Sequence, residues 1–165
     1  MKLLIRLLKE QDIEKTTSLY SRVIHPSYIA YGELNEGSAK NPQQFSKKAV
    51  KNFKKYLKEF LSRKDKTVYL AIIKNKIVGF ICIEIKKVKA GHKECGIMDM
   101  GVDKPFRRHG IAKKLIQKAY VFGKQNKVKY FYLSSGYKNL GAHALFKKEG
   151  FVPLNIVFFK VIFCV

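Results

Sequence analysis

Residues 102–115 read VDKPFRRHGIAKKL: a valine ending an apolar run, a proline, a knot of positive charge, and one glycine ahead of a helical pattern. Gly110 and Ala112 keep the turn small, Arg107 and Arg108 precede it, and Lys113 and Lys114 stand on the first helical turn. Cations there oppose the helix dipole, which favours acids at that end. Their placement makes sense where an anion sits among them. A helix N-terminus offers unpaired N–H groups and about half a positive charge, and glycine lets the backbone approach a ligand, so such an end suits phosphate. Taken alone, the segment fits an ordinary basic turn equally well.

The flanking sequence supplies a context. TVYLAII (67–73) and KIVGFICIEIKKVK (76–89) are rich in Val, Ile and aromatics and meet at Asn75, which predicts a hairpin. CGIMDMGV (95–102) predicts the strand that delivers the opening segment, and Ile111, Leu115, Ile116, Ala119 and Phe122 mark the buried side of the helix after it. VKYFYLSS (128–135) predicts a further strand, NLGAHALFKKEG (139–150) a short helix with Gly150 at its C-cap, and residues 155–163 a last apolar strand.

Before the hairpin, residues 3–8 suit a short strand and residues 12–24 a helix with Ile13, Leu19, Tyr20 and Val23 on one face. HPSYIAYGELNEGSAKNP (25–42) reads as a loop. From Pro42 to Ser62, Phe45, Ala49, Phe53, Tyr56, Leu57, Phe60 and Leu61 recur at helical spacing against a lysine face. A basic amphipath of this kind can lie on a membrane, but packing on its own domain is the ordinary outcome, and no membrane partner is expected. The order, with no repeat and no linker, predicts a single α/β domain over residues 1–165, antiparallel early and with strand–helix–strand crossovers late.

Composition narrows the chemistry. The 165 residues can bury roughly two-thirds of their unfolded surface without metals or disulfides. Lys and Arg number 34 against 12 Asp and Glu, a formal charge of +22, so an anionic partner is expected: nucleic acid, an anionic surface or a phosphorylated cofactor. A lysine-rich surface without a partner gives the same count. Cys82, Cys95 and Cys164 form no CxxC pair and stand in no metal-ligand spacing with the four His, so neither a disulfide framework nor a metal is expected. The opening MKLLIRLLKEQD does not read as a signal peptide, and no run approaches the ~18 apolar residues of a spanning helix. A cytoplasmic setting follows as the expectation. Neither GxxxxGK[ST] nor GxGxxG after a strand is present, which excludes two familiar phosphate loops.

With that pattern on the page, the chain resembles the GNAT superfamily of acetyl-CoA-dependent N-acetyltransferases. Arg107–Ala112 matches the Q/R-x-x-G-x-G/A pyrophosphate signature, and Asn139, Ala142, Leu145, Gly150 and Phe151 fit N-x-x-A-x-x-L-Y-x-x-x-G-F in order and spacing. The resemblance is strongest over residues 66–152. It implies an α/β (α+β) GNAT fold: a mixed central sheet of six to seven strands with four helices, splayed between the fourth and fifth strands.

Carried over by residue, the resemblance implies acetyl-CoA as cosubstrate. Backbone N–H groups from Arg108 through His109, Gly110, Ile111 and Ala112 to Lys113 would cradle the pyrophosphate, with Arg107 opening the signature. Met100, Gly101 and Val102 would pair with the pantetheine arm, Gly101 being a candidate bulge, and Asn139 would reach the cofactor. Transfer to an amine needs a neutral amine, a donor for the oxyanion and a proton for the departing thiolate. Asp99 is the first candidate for base or amine anchor, a structural ion pair being the alternative; Glu84 and Glu94 are the other acids near the expected cleft. Where the family pattern places a tyrosine as acid, this chain has Phe146, so water, Tyr137 or Ser135 would protonate the thiolate. On the acceptor side the resemblance puts the loop that carries Glu33 and Glu36, which would hold a cationic amine unless they are merely solvated, and His25.

The expected activity is therefore transfer of acetyl to a primary amine of a small molecule or protein, by direct attack in a ternary complex. The alternative is a basic GNAT-fold module that holds nucleic acid or the ribosome with little or no catalysis. The apolar residues 155–163 would make a hazardous bare strand edge, which allows for a homodimer under either reading.

Overall fold

The computed structural model describes residues 2–160. In chain order it runs through β1 (Leu3–Leu7), α1 (Ile13–Val23), α2 (Tyr31–Asn35), β2 (Ala39–Asn41), β3 (Gln44–Phe45), α3 (Ala49–Ser62), β4 (Lys66–Ile73), β5 (Lys76–Lys87), β6 (Lys93–Val102), α4 (Ile111–Gln125), β7 (Tyr130–Leu133) and α5 (Leu140–Lys148). These residues separate into two compact units, one made of residues up to 24 and 50–133, the other of residues 25–49 and those from 134 onward.

The first unit is built on a five-stranded sheet in the order β1-β4-β5-β6-β7, antiparallel except for the parallel pair β6 and β7. The β4–β5 turn is the two-residue kind that needs positive φ at both positions, and Lys74 (φ 46°) and Asn75 (φ 60°) supply it. Asn tolerates that conformation better than most residues, which is why the hairpin is visible in the sequence. One sheet face carries Val68, Leu70, Ile72, Phe80 and Cys82, packed with Leu19, Tyr20 and Val23 of α1 and Phe53, Leu57 and Phe60 of α3. Tyr20 and Phe53 stack at 3.9 Å between ring centroids, and Phe53 lies 5.2 Å from Phe80. α4 covers the opposite face with Ile111, Leu115, Ile116 and Ala119, all buried. Gly79 admits that helix: a Cβ there would already touch Ile111 Cγ2 at 3.4 Å.

β6 is the strand on which the site depends. Its register with β5 shifts between Cys82 and Ile83, opposite Asp99 and Ile97, so the extra residue is Met98. The bulge is therefore at Met98, not at Gly101. Gly101 is small for another reason, because a Cβ there would lie 2.8 Å from the Phe80 ring and 2.9 Å from Val23. Pairing with β7 covers only Glu94–Ile97, whereas pairing with β5 continues to Val102. The fourth and fifth strands thus part company after Ile97.

In the second unit the loop expected over 25–42 contains a 3-10 turn at Pro26–Tyr28, the short helix α2 and the small β2–β3 hairpin. Phe45 lies in that hairpin rather than at the start of α3. Ser46 closes the hairpin, its N–H donating to Ser38 O at 2.8 Å and its Oγ to Gly37 O at 2.8 Å. α5 ends in a Schellman arrangement: Gly150 is left-handed (φ 87°), its N–H donates to Lys147 O, and Phe151 N–H donates to Phe146 O at 3.0 Å. Four helices of nine residues or more are present among the described residues, as expected. The central sheet has five strands there rather than six or seven. The difference lies at the C-terminus, where residues 155–160 form no strand and 161–163 lie outside the described residues. Ile156, Val157 and Phe158 are exposed.

Candidate active site

Past Val102 the chain makes a 3-10 turn at Lys104–Phe106, then reaches Arg108 and Gly110, both left-handed at φ 63° and 72°, and enters α4 at Ile111. Two bonds fold the segment back on itself. Arg107 Nε donates to Val102 O at 2.9 Å, and the His109 ring Nδ1–H donates to Arg107 O at 2.8 Å. The first intrahelical bond of α4 is Lys114 N–H to Gly110 O at 3.1 Å, so the amides of Ile111, Ala112 and Lys113 precede the helix's own ladder. A Cβ on Gly110 would meet no atom within 4 Å. The space beside Gly110 is open, and Arg107, Arg108, His109, Lys113 and Lys114, its neighbours in the chain, are all exposed. Ile111 itself points the other way, 2% exposed, anchoring the turn to the sheet.

The splayed end of β6 leads into this loop, so Met100, Gly101 and Val102 lie between the bulge and the turn. Asp99 follows the bulge and is opposite Cys82 on the face covered by α1. Full burial, with the Asp99 charge adding to it, holds the Cys82 thiol well above the ordinary range, while burial alone pushes Cys95 up to about 12. Both thiols are inaccessible. The other two acids lie where β6 is paired on both sides: Glu84, on β5 opposite Gly96, binds Lys86 at 3.1 Å and Lys66 at 3.3 Å, and Glu94, on β6 opposite Tyr130, meets His92 at 3.1 Å. Asp99 is the acid next to the splay.

The remaining candidates lie in the second unit. Asn139 precedes α5, its Nδ2 donating to Ser135 Oγ at 3.3 Å, and Tyr137 is 76% exposed. Glu33 Oε2 accepts the Ala30 N–H at 2.8 Å and so caps α2, while burial pushes its carboxyl upward. Glu36 is exposed at the end of the same helix. His25 Nδ1 accepts the Ser27 N–H at 3.2 Å, which fixes the 3-10 turn. The Phe146 ring packs edge-on against Phe151 at 6.0 Å. Gly136, which the sequence reading passed over, lets its turn lie against the 25–30 loop, because a Cβ there would fall 2.5 Å from Ser27 O and 2.7 Å from Ile29 O.

The Acetyltransferase (GNAT) family pattern matches residues 34–151. The chain belongs to the GNAT acetyltransferase family. Solved structures of similar fold include the aminoglycoside N-acetyltransferase AAC(6')-Iy in complex with CoA, at 16% identity over 99% of this chain and 96% of that one, with a TM-score of 0.73. AAC(6')-IG from Acinetobacter haemolyticus follows at 17% identity over 98% and 99%, TM-score 0.71. A transcriptional regulator from Bacillus halodurans C-125 shares the fold equally well, at 16% identity over 98% and 100%, TM-score 0.72. No curated protein matches by sequence.

Two residues of this GNAT chain that the sequence reading missed are Arg22 and Asp103, which meet at 3.3 Å from positions 81 apart. Only a conspicuous acid in a strongly basic segment could have flagged Asp103. Among the described residues, no helix is long and apolar enough to cross a membrane, and no three His, Cys, Asp or Glu gather as metal ligands.

Proposed function

We propose that residues 1–165 act as one cytoplasmic N-acetyltransferase domain, moving acetyl from acetyl-CoA to a primary amine of a small molecule or protein. The observation that carries this is the pairing of a left-handed Gly110, with open space beside it at the start of α4, with a β6 end that outruns β7. Backbone amides from Arg108 to Lys113 would receive the pyrophosphate, and the basic side chains around them match its charge. Met100, Gly101 and Val102 offer the strand edge to the pantetheine arm, and Asn139 adds a cofactor contact by analogy with the family pattern. Acetyl-CoA would supply the thioester; the chain's residues bind it and handle protons.

Direct attack is favoured because Cys82 and Cys95 are buried and held protonated, which argues against either as an acyl carrier. Asp99 serves as base or amine anchor beside the splay. Tyr137 or water returns a proton to the thiolate, whose ordinary acidity near ~8.5 makes this a light task. Glu33 and Glu36 are the proposed acceptor contacts, Glu33 through the carboxylate that also caps α2.

Isothermal titration with acetyl-CoA tests the reading, with Gly110→Val as the comparison. Micromolar binding by the wild type and a loss of at least about tenfold in the variant are expected, since a branched side chain at φ 72° strains the turn and occupies the open ground. A wild type that does not bind removes the enzyme reading. The charge of +22 favours a second reading, a module for nucleic acid, and salt-sensitive RNA binding that coenzyme A does not compete would select it.

A further inference from the structure

Asp103 is 6% exposed in a chain whose acids are scarce, and it is the first residue after β6. Its backbone is fixed on both sides: its N–H donates to Val78 O at 2.8 Å, and its carbonyl accepts the Phe106 N–H at 2.8 Å. Its carboxylate draws two cations from different elements. Arg22 of α1 reaches Oδ2 at 3.3 Å, and Lys76, just after the β4–β5 turn, lies 3.6 Å away. Arg22 is itself oriented, its Nη1 donating to Ser18 O and Oγ at 3.0 Å. Lys76 Nζ also stands 5.6 Å from the centre of the Phe106 ring, so one ammonium contacts both ends of the 3-10 turn.

We propose that Asp103 is a positioning residue for the cofactor loop. Its carboxylate, held by Arg22 and Lys76, fixes the angle at which residues 104–110 leave β6, and hence the convergence of the amides from Arg108 to Lys113. The proposal rests on the reading of that loop as the coenzyme A site. A buried carboxylate that served stability alone would need no link to the loop; this one is bonded through its backbone to the turn that aims it. Removing the charge alters neither Gly110 nor the basic side chains themselves but loosens their placement, which weakens binding without touching the reacting groups.

The test is titration with coenzyme A and steady-state kinetics with acetyl-CoA on wild type, Asp103→Asn, Asp103→Glu, Arg22→Gln and the Asp103→Asn/Arg22→Gln double variant. Asp103→Asn should weaken coenzyme A binding by about tenfold and raise KM for acetyl-CoA in step, with kcat within about twofold. Asp103→Glu should recover part of the loss. Arg22→Gln should cost about threefold, and the double variant should be no worse than Asp103→Asn, because both act on one interaction. Unchanged coenzyme A affinity in a folded Asp103→Asn protein, or additive losses in the double variant, would overturn the assignment. Should Asp103→Asn not fold, Arg22→Gln and Lys76→Gln at the exposed partners carry the test, and wild-type affinity in both would overturn it. A wild type that does not bind coenzyme A fails the functional reading itself, an outcome distinct from these.

Discussion

Phe131 of β7 lies against Gly123 of α4 so closely that a methyl group on Gly123 would sit 2.7 Å from the ring carbon Cε1. The same methyl would lie 3.0 Å from Val128 Cγ2, and Tyr120 meets Phe131 edge-on at 5.0 Å. The glycine thus sets how near the crossover helix comes to the parallel strand. Gly123→Ala would gain about 1 kcal/mol of helix propensity but lose about 1–3 kcal/mol to overpacking. A net loss, with Tm lower by a few degrees, is expected by calorimetry. A Cβ on Gly141 in α5 would meet no atom within 4 Å, so Gly141→Ala should raise stability by up to about 1 kcal/mol. Equal responses at the two positions would contradict the packing account.

Arg108 holds φ 63°, a conformation that costs a non-glycine residue about 1–2 kcal/mol. Arg108→Gly removes that strain and increases the entropy of the unfolded chain, effects that largely offset each other. Its side chain is exposed, three residues ahead of α4. The variant should keep the wild-type Tm within a few degrees yet bind coenzyme A several-fold more weakly, with a shallower salt dependence. Wild-type affinity with unchanged salt dependence would show that the strained residue has no binding role.

Asp12 joins Arg6 at 2.6 and 2.9 Å and accepts the Lys9 N–H at 2.9 Å. The hydrogen-bonded Arg6 guanidinium holds its carboxyl below the usual carboxylate range despite burial. A lowered folded value means the stabilisation is complete above the unfolded value near ~3.9 and disappears as pH falls through the folded one. Asp12→Asn should therefore cost about 1–3 kcal/mol in urea unfolding at pH 7. The gap to wild type should close below about pH 4; a gap independent of pH would sever the stability from the ion pair.

Cys82 and Cys95 should resist thiol reagents in the native protein at pH 8 and react on unfolding, because both are fully buried and held protonated. Intact-mass and peptide analysis after incubation with acetyl-CoA alone should find no acetyl group on either. An acetylated Cys95 would replace direct attack with a two-step route.

By itself the sequence determined the features that are local. Asn75, Gly110 and Gly150 mark turns and caps because each position requires positive φ, a demand that one residue reveals. The Val- and Ile-rich runs marked β4 and β5, the apolar spacing of α1 and α4 set which helix faces would be buried, and the two glycine-bearing crossover patterns carried the family. Tertiary structure decided what depends on register and on partners far along the chain. The bulge falls at Met98, where the pairing register with β5 shifts, and Gly101 is small instead because it must clear Phe80 and Val23. Residues 155–160 are apolar enough for a strand, yet strand formation needs an edge to pair with, which composition does not specify. Asp103 acquired its neighbours from α1 and from the residue after the β4–β5 turn, 81 and 27 positions away, and only the folded sheet brings those three together.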